Sequence, residues 1–241
     1  MQPALIFAMV LGAGPALLAM YYLMRGYTSA LDERKLFMAF GAGLILGLVG
    51  FTFHIFLDGG LLRSGPVGQG IYVFGFAALE NLVLFVVLNH KWVRGTAEAA
   101  FVGISLGAGY SASGVMGLVY NLTARATFGL APADIALMVG LALSSTFFRT
   151  AAGALLGIGS ARSLPWQWYG RTLVAQLPYG ALTMGILLSA DIDPWLWAVL
   201  LVVLVLYSLG LLYHVWRRLL PEFLPGEVKR TLRRHMRRSA R

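Results

Sequence analysis

Glu80, its neighbour Asn81, His54, Arg149 and Gln176 each carry an ionisable or strongly hydrogen-bonding group within a long apolar stretch of this 241-residue chain. Tyr110 and Asn121 are weaker members of the same set. A carboxylate in such a setting can relay a proton, polarise a water or hold a cation. Ionisable groups in apolar segments are expensive, so each is a functional candidate. A lone carboxylate in hydrocarbon either protonates or finds a cation. Glu80 and Arg149 are the fully charged candidates of opposite sign, so the sequence predicts that they approach each other. The competing readings are a neutral Glu80 bonded to a neighbouring helix and an Arg149 that runs its stem out to the aqueous surface.

Most catalytic constellations are missing. There is no cysteine, which removes thiolate nucleophiles, redox pairs and thiolate-bound metals. Metal-assisted hydrolysis needs about three ligands and an open position. His54, His90, His214 and His235 are scattered, with no HExxH motif, and neither a metal site nor a cofactor is expected. An aspartyl-type dyad needs two embedded carboxylates, and Glu80 has no second. The nearest approach to a catalytic set is a rearranged site of Glu80, Asn81 and His54.

These residues must be positioned by membrane helices. Hydrophobic residues make up 59% of the chain and charged residues 12%, and the mean hydropathy is +0.75. A soluble domain is about a quarter charged, so a disordered chain, a nucleic-acid-binding globule and an ordinary cytosolic enzyme are excluded. Apolar stretches at 3–24, 36–57, 69–89, 97–120, 133–160, 169–190 and 194–216 are long enough to cross about 30 Å of hydrocarbon as helices. Backbone amides in lipid must be satisfied within the segment, which leaves helices as the structure of these lengths. The expected fold is an all-α bundle of about seven spans over residues 1–216, followed by a basic tail over 217–241. Arg25, Arg34, Lys35, Lys91, Arg94, Arg162, Arg171 and the tail fall on one side; only Arg63 and Arg125 fall on the other. The positive-inside rule then puts the N-terminus outside and the tail in the cytoplasm. A prokaryotic cytoplasmic membrane is the expected location. Trp166, Trp168, Trp195 and Trp197 sit at predicted membrane edges, as interfacial anchors do.

Glycine supplies 29 residues. Gly43 with Gly47, Gly103 with Gly107, and Gly153 with Gly157 have the small-xxx-small spacing that lets helix backbones approach in lipid. Such faces serve internal packing or receive a partner helix. In the tail, Pro221 and Pro225 break the last helix, and Lys229, Arg230, Arg233, Arg234, Arg237 and Arg238 surround Val228, Leu232 and Met236. That pattern reads as a solvated tail that fixes topology or as a short basic amphipathic helix on an anionic membrane surface.

The order of features from about residue 5 to 190 resembles the PrsW-type intramembrane peptidases, a family related to the CAAX-processing membrane proteases. "YYLMRGYTSALDERKLFMAFGAGLILGLV" is similar to the family's first span and basic loop, and "ALENLVLFVVLNHKW" to its EExxK helix. "EAAFVGISLGAGYSASGVMGLVYN" is similar to its glycine-rich helix ending in Glu-Asn, and "STFFRTAAGALLGIGSAR" and "LVAQLPYGALTMGILL" to its two histidine helices. By this resemblance Glu80 stands at the first glutamate, Asn81 at the second and Leu84 at the lysine. Gly114 and Val115 stand where Glu-Asn would be, Arg149 at the first histidine, and Pro178 or Tyr179 at the second. The framework is kept and most of the implied catalytic groups are not.

The leading functional expectation is therefore a non-catalytic PrsW-like membrane protein. It would act as a scaffold or accessory subunit, binding other integral membrane proteins or the lipid bilayer through glycine-lined faces and the tail, with no nucleic acid involved. The alternatives are an active intramembrane peptidase rearranged around Glu80 and a small-solute carrier or channel with Glu80, Arg149 and Gln176 in its polar path.

Overall fold

A computed structural model of the chain describes residues 3–25, 27, 31–61, 65–96, 98–124, 131–189 and 194–223. Among them every regular element is helical. The helices are α1 (Pro3–Met24), α2 (Glu33–Leu61), α3 (Pro66–Leu88), α4 (Ala99–Ala124), α5 (Pro132–Ala161), α6 (Pro165–Ser189) and α7 (Pro194–His214). A π-helical turn at Val215–Leu219 carries the chain on into α8 (Leu220–Phe223). Seven helices are long and apolar enough to cross a bilayer, and the protein is an all-α integral membrane protein.

Helix starts follow local chemistry. α1, α3, α5, α6 and α7 each begin at a proline, whose missing N–H costs nothing in the first turn and whose fixed φ suits a helix. This is why α3 and α6 start before the apolar stretches expected at 69 and 169: hydropathy discounts the polar first turn that proline initiates. At α2, Asp32 Oδ1 accepts from the backbone N–H groups of Arg34 (3.0 Å) and Lys35 (3.4 Å), an aspartate cap. The last helix was expected to break at Pro221. Pro221 instead lies within α8, because the backbone widens to the π form just ahead of it, where its ring would clash in an uninterrupted α-helix; Pro225 lies outside the described residues.

α4 and α5 form the centre. Over their most apolar stretches 78% of α4 and 67% of α5 is buried, against 22% of α1, α2 and α7. α4 packs against α5, α2 and α1, while α7 closes over α5 and α6. Glycine sets these distances. A Cβ on Gly103 would run into the carbonyl of Gly153, and one on Gly153 into that of Gly103. Gly107 lies against the Arg149 carbonyl and Gly157 against that of Ala99; on α2, Gly43 and Gly47 lie against the carbonyls of Leu106 and Tyr110. All six glycines are thus used between helices of this chain, the internal-packing reading of the two that their spacing allowed.

Polar contacts pin the helices on the side that the basic loops assign to the cytoplasm. Lys35 Nζ donates to Glu98 Oε2 (3.0 Å), and the Asp32 N–H donates to Glu98 Oε1 (3.2 Å). Ser160 Oγ donates to the Leu88 carbonyl (2.6 Å), and Tyr169 Oη to that of Ala78 (3.0 Å). The last two bonds hold the inner half of α3 to α5 and α6. Trp168 is no interfacial anchor: it is 4% exposed, between the guanidinium groups of Arg171 and Arg162, 4.7 and 5.7 Å from its ring. Trp166 and Trp195 are exposed, as anchors are. The basic tail residues Lys229, Arg230, Arg233, Arg234, Arg237 and Arg238 lie outside the described residues.

Candidate intramembrane site

Glu80 sits on α3 roughly 12 Å from its inner end, at 1.5 Å per residue. Its side chain is 4% exposed and its carboxylate is held from three helices. Oε1 accepts from Tyr110 Oη of α4 (2.8 Å) and lies 2.8 Å from Nη2 of Arg149 on α5. Oε2 accepts from Gln176 Nε2 of α6 (2.7 Å). The expected approach of Glu80 and Arg149 is therefore a direct ion pair.

The backbone contacts described above create this meeting point. Gly107 lets α4 come close to the Arg149 carbonyl. One turn further along α4, Tyr110 lies under the guanidinium, whose Cζ is 4.5 Å from the ring centroid. Gly50 on α2 leaves room for the Tyr110 hydroxyl, which a Cβ would meet. Tyr179 stacks on Phe148 at 4.2 Å between centroids, packing α6 onto α5 beside the pair. Pro178 lies within α6 and leaves the carbonyl one turn before it without a helical donor. Next to that carbonyl, Ala175 O accepts from Tyr207 Oη of α7 (2.6 Å), which ties the interrupted stretch to its neighbour.

A cavity of about 120 Å³ opens above the pair, with walls from α2 to α6. Glu80, Arg149 and Gln176 form its floor, and most of its wall is apolar: Phe51, Val115, Leu118, Leu141 and Met184 all contribute. Towards the α2–α3 connection the wall is a stack of three rings. His54 of α2 stands 4.6 Å from Phe76 and 5.3 Å from Tyr72 of α3, all nearly parallel, with Tyr72 Oη 3.4 Å from His54 Nε2.

The catalytic candidates are not assembled around one point. His54 and Glu80 share the cavity but bond to different partners. Asn81 is 1% exposed, is absent from the cavity wall, and its Nδ2 has no hydrogen-bond acceptor among the described residues. One residue after Glu80, it is turned about 100° round the helix. Asn121, near the outer end of α4, does not line the cavity. Among the described residues no three His, Asp or Glu side chains gather as metal ligands would. Tyr110 and Gln176 gain importance, as the donors that complete the Glu80 shell. Gly50 was visible in sequence only as one more glycine of α2.

Of the positions aligned with catalytic residues by the resemblance, Glu80, Gly114, Val115, Arg149 and Tyr179 border this cavity, and Asn81, Leu84 and Pro178 do not. In comparisons with known proteins, no family model, curated protein or solved structure matches the chain.

Proposed function

We propose that the chain is a PrsW-like integral membrane protein that has given up peptide hydrolysis and acts as a scaffold or accessory subunit, binding other membrane proteins or lipids. The observation carrying this reading is the occupation of Glu80. A general base needs a free lone pair directed at water. The Glu80 carboxylate already accepts from Tyr110 and Gln176 and is paired with Arg149, which fills about three of its four acceptor positions. Two further observations support the reading: Gly114 and Val115 supply no acid–base group to the cavity, and Asn81 does not border it. With the glycine faces used internally, partner binding falls to the outer surfaces of the bundle and to the cavity.

The test is reconstitution of the full chain with single-span peptides, alongside native nanodisc extraction and mass spectrometry. The expected outcome is no cleavage above the lipid-only control and recovery of a bound membrane component. Cleavage that disappears in Glu80→Gln would establish the peptidase alternative instead. Recovery as a lipid-free, partnerless monomer would defeat the scaffold reading. The carrier alternative is favoured by one observation, the single cavity that touches Glu80, Arg149 and Gln176. Its mark would be solute uptake into proteoliposomes that Arg149→Gln abolishes.

A further inference from the structure

The cavity has the composition of a binding site, and its chemistry narrows what it can bind. Glu80 and Arg149 cancel each other's charge across 2.8 Å, so the floor carries no net charge from these two groups. An anionic head would face Glu80 and a cationic one Arg149, each without a counterion to spare. Tyr110, Gln176 and Arg149 fill about three of the four acceptor positions of the Glu80 carboxylate. Arg149 has five N–H groups, its side chain remains 17% exposed where it borders the cavity, and Glu80 is its ion-pair partner among the described residues. Beside the acceptor on Gln176 Oε1, the strongest hydrogen-bonding groups the floor still offers are the remaining N–H donors of Arg149. The matching group is a neutral acceptor.

Size and surroundings limit the rest of the ligand. A dry apolar cavity of about 150 Å³ accommodates benzene, so one of about 120 Å³ takes a small carbonyl head and about two methylenes of a chain. The remainder must stay outside. The side of least resistance lies between the outer halves of α2 and α3. The inner half of α3 is fastened by Ser160, Tyr169 and the Glu80 shell. Its outer half meets α2 sparingly, through the His54–Tyr72–Phe76 stack. Outside that stack Phe53, Phe56, Ile71 and Phe74 are exposed, an apolar surface that suits lipid.

We infer that the cavity binds an uncharged, carbonyl-headed, single-chain amphiphile taken from the bilayer between α2 and α3, its carbonyl oxygen accepting a hydrogen bond from Arg149. This does not rest on the peptidase-like ancestry. The cleavage assay above can fail while this holds, and the reverse.

The test uses the full chain in nanodiscs and a diazirine-tagged fatty primary amide. Saturable photolabelling is expected at the wall residues Leu118, Leu141 and Met184. The untagged amide should compete about tenfold or more better than a fatty carboxylate of equal chain length, given the cost of burying an unpaired charge. Gly114→Leu should reduce labelling about tenfold or more. Gly114 lines the cavity and a Cβ there meets nothing within 4 Å, so the new side chain has open space to enter. Leu118→Trp is a second plug should that variant misfold. Labelling that persists in the folded plug variant, or that spreads without saturation over the exposed helix faces, overturns the site. Equal competition by the carboxylate overturns the neutral head. For the route, cysteines at His54 and Tyr72 in this cysteine-free chain are bridged by a cleavable bismaleimide. Uptake should slow on bridging and recover on cleavage, and unchanged uptake overturns admission between α2 and α3.

Discussion

The Glu80–Arg149 pair was legible because charge is so scarce in the spans of this chain that each ion had one candidate partner. The rest of the shell was not. Tyrosine and glutamine are common enough in membrane helices that Tyr110 and Gln176 could not be matched to Glu80 before the helices were placed. Asn81 shows the opposite error: adjacency in sequence suggested a shared site, and the helical turn separates them. Removing one member of a buried pair strands the other. Arg149→Met is therefore expected to cost about 3–5 kcal/mol, while Glu80→Met combined with Arg149→Met costs less than either single change. Denaturation in mixed micelles measures both. A double variant as unstable as the sum of the singles would show that the two residues act separately. Gly50→Ala is expected to displace the Tyr110 hydroxyl from Glu80 and cost about 1–2 kcal/mol, read the same way.

The spans themselves were plain from hydropathy, since only unbroken apolar runs can cross lipid. Their exact starts were not, because proline initiates a helix without being apolar. Nor could glycine spacing alone say which face meets which helix: the same small-xxx-small pattern serves a partner or a sibling, and only the assembled backbone distinguishes them. Trp168 was misread for a similar reason, as its distance from the membrane edge gave no hint of two flanking arginines. Gly103→Ala is expected to push α4 off α5 and cost about 1–3 kcal/mol, because no flexible side chain is available to yield at the Gly153 carbonyl. Gly14→Ala, where a Cβ meets nothing within 4 Å, should be neutral or should stabilise by up to about 1 kcal/mol through helix propensity. Thermal unfolding in detergent checks the pair, and equal losses at both sites would refute the packing role assigned to Gly103.

Orientation belongs to the molecule as a whole, and the sequence expresses it through its basic loops. The absence of cysteine makes it directly measurable. A membrane-impermeant maleimide applied to intact cells should label Ala131→Cys, in the exposed lead-in to α5, and should leave Lys91→Cys untouched until the membrane is permeabilised. The reverse pattern would invert the topology.

Burial of α4 and α5 at the centre also bears on how the protein is made. The two helices that face mainly protein, α4 and α5, have mean hydropathies of 1.4 and 1.5 over their most apolar stretches, whereas α1 to α3 and the last span reach 2.0 to 2.5. A span that will end among siblings can carry Ser105, Ser111, Ser144 and Thr146, all fully or almost fully enclosed, but it is the weaker substrate for release into lipid when it leaves the translocon. Chain order offsets that weakness. Both greasy neighbours of α4 among the first helices, α1 and α2, are synthesised before it, and α4 precedes α5. Each hydroxyl-bearing segment thus arrives at the bilayer with a docking wall already waiting. Expressing α4 to α7 without α1 to α3 should therefore lower the yield of inserted protein, and supplying α1 to α3 as a separate chain should restore it.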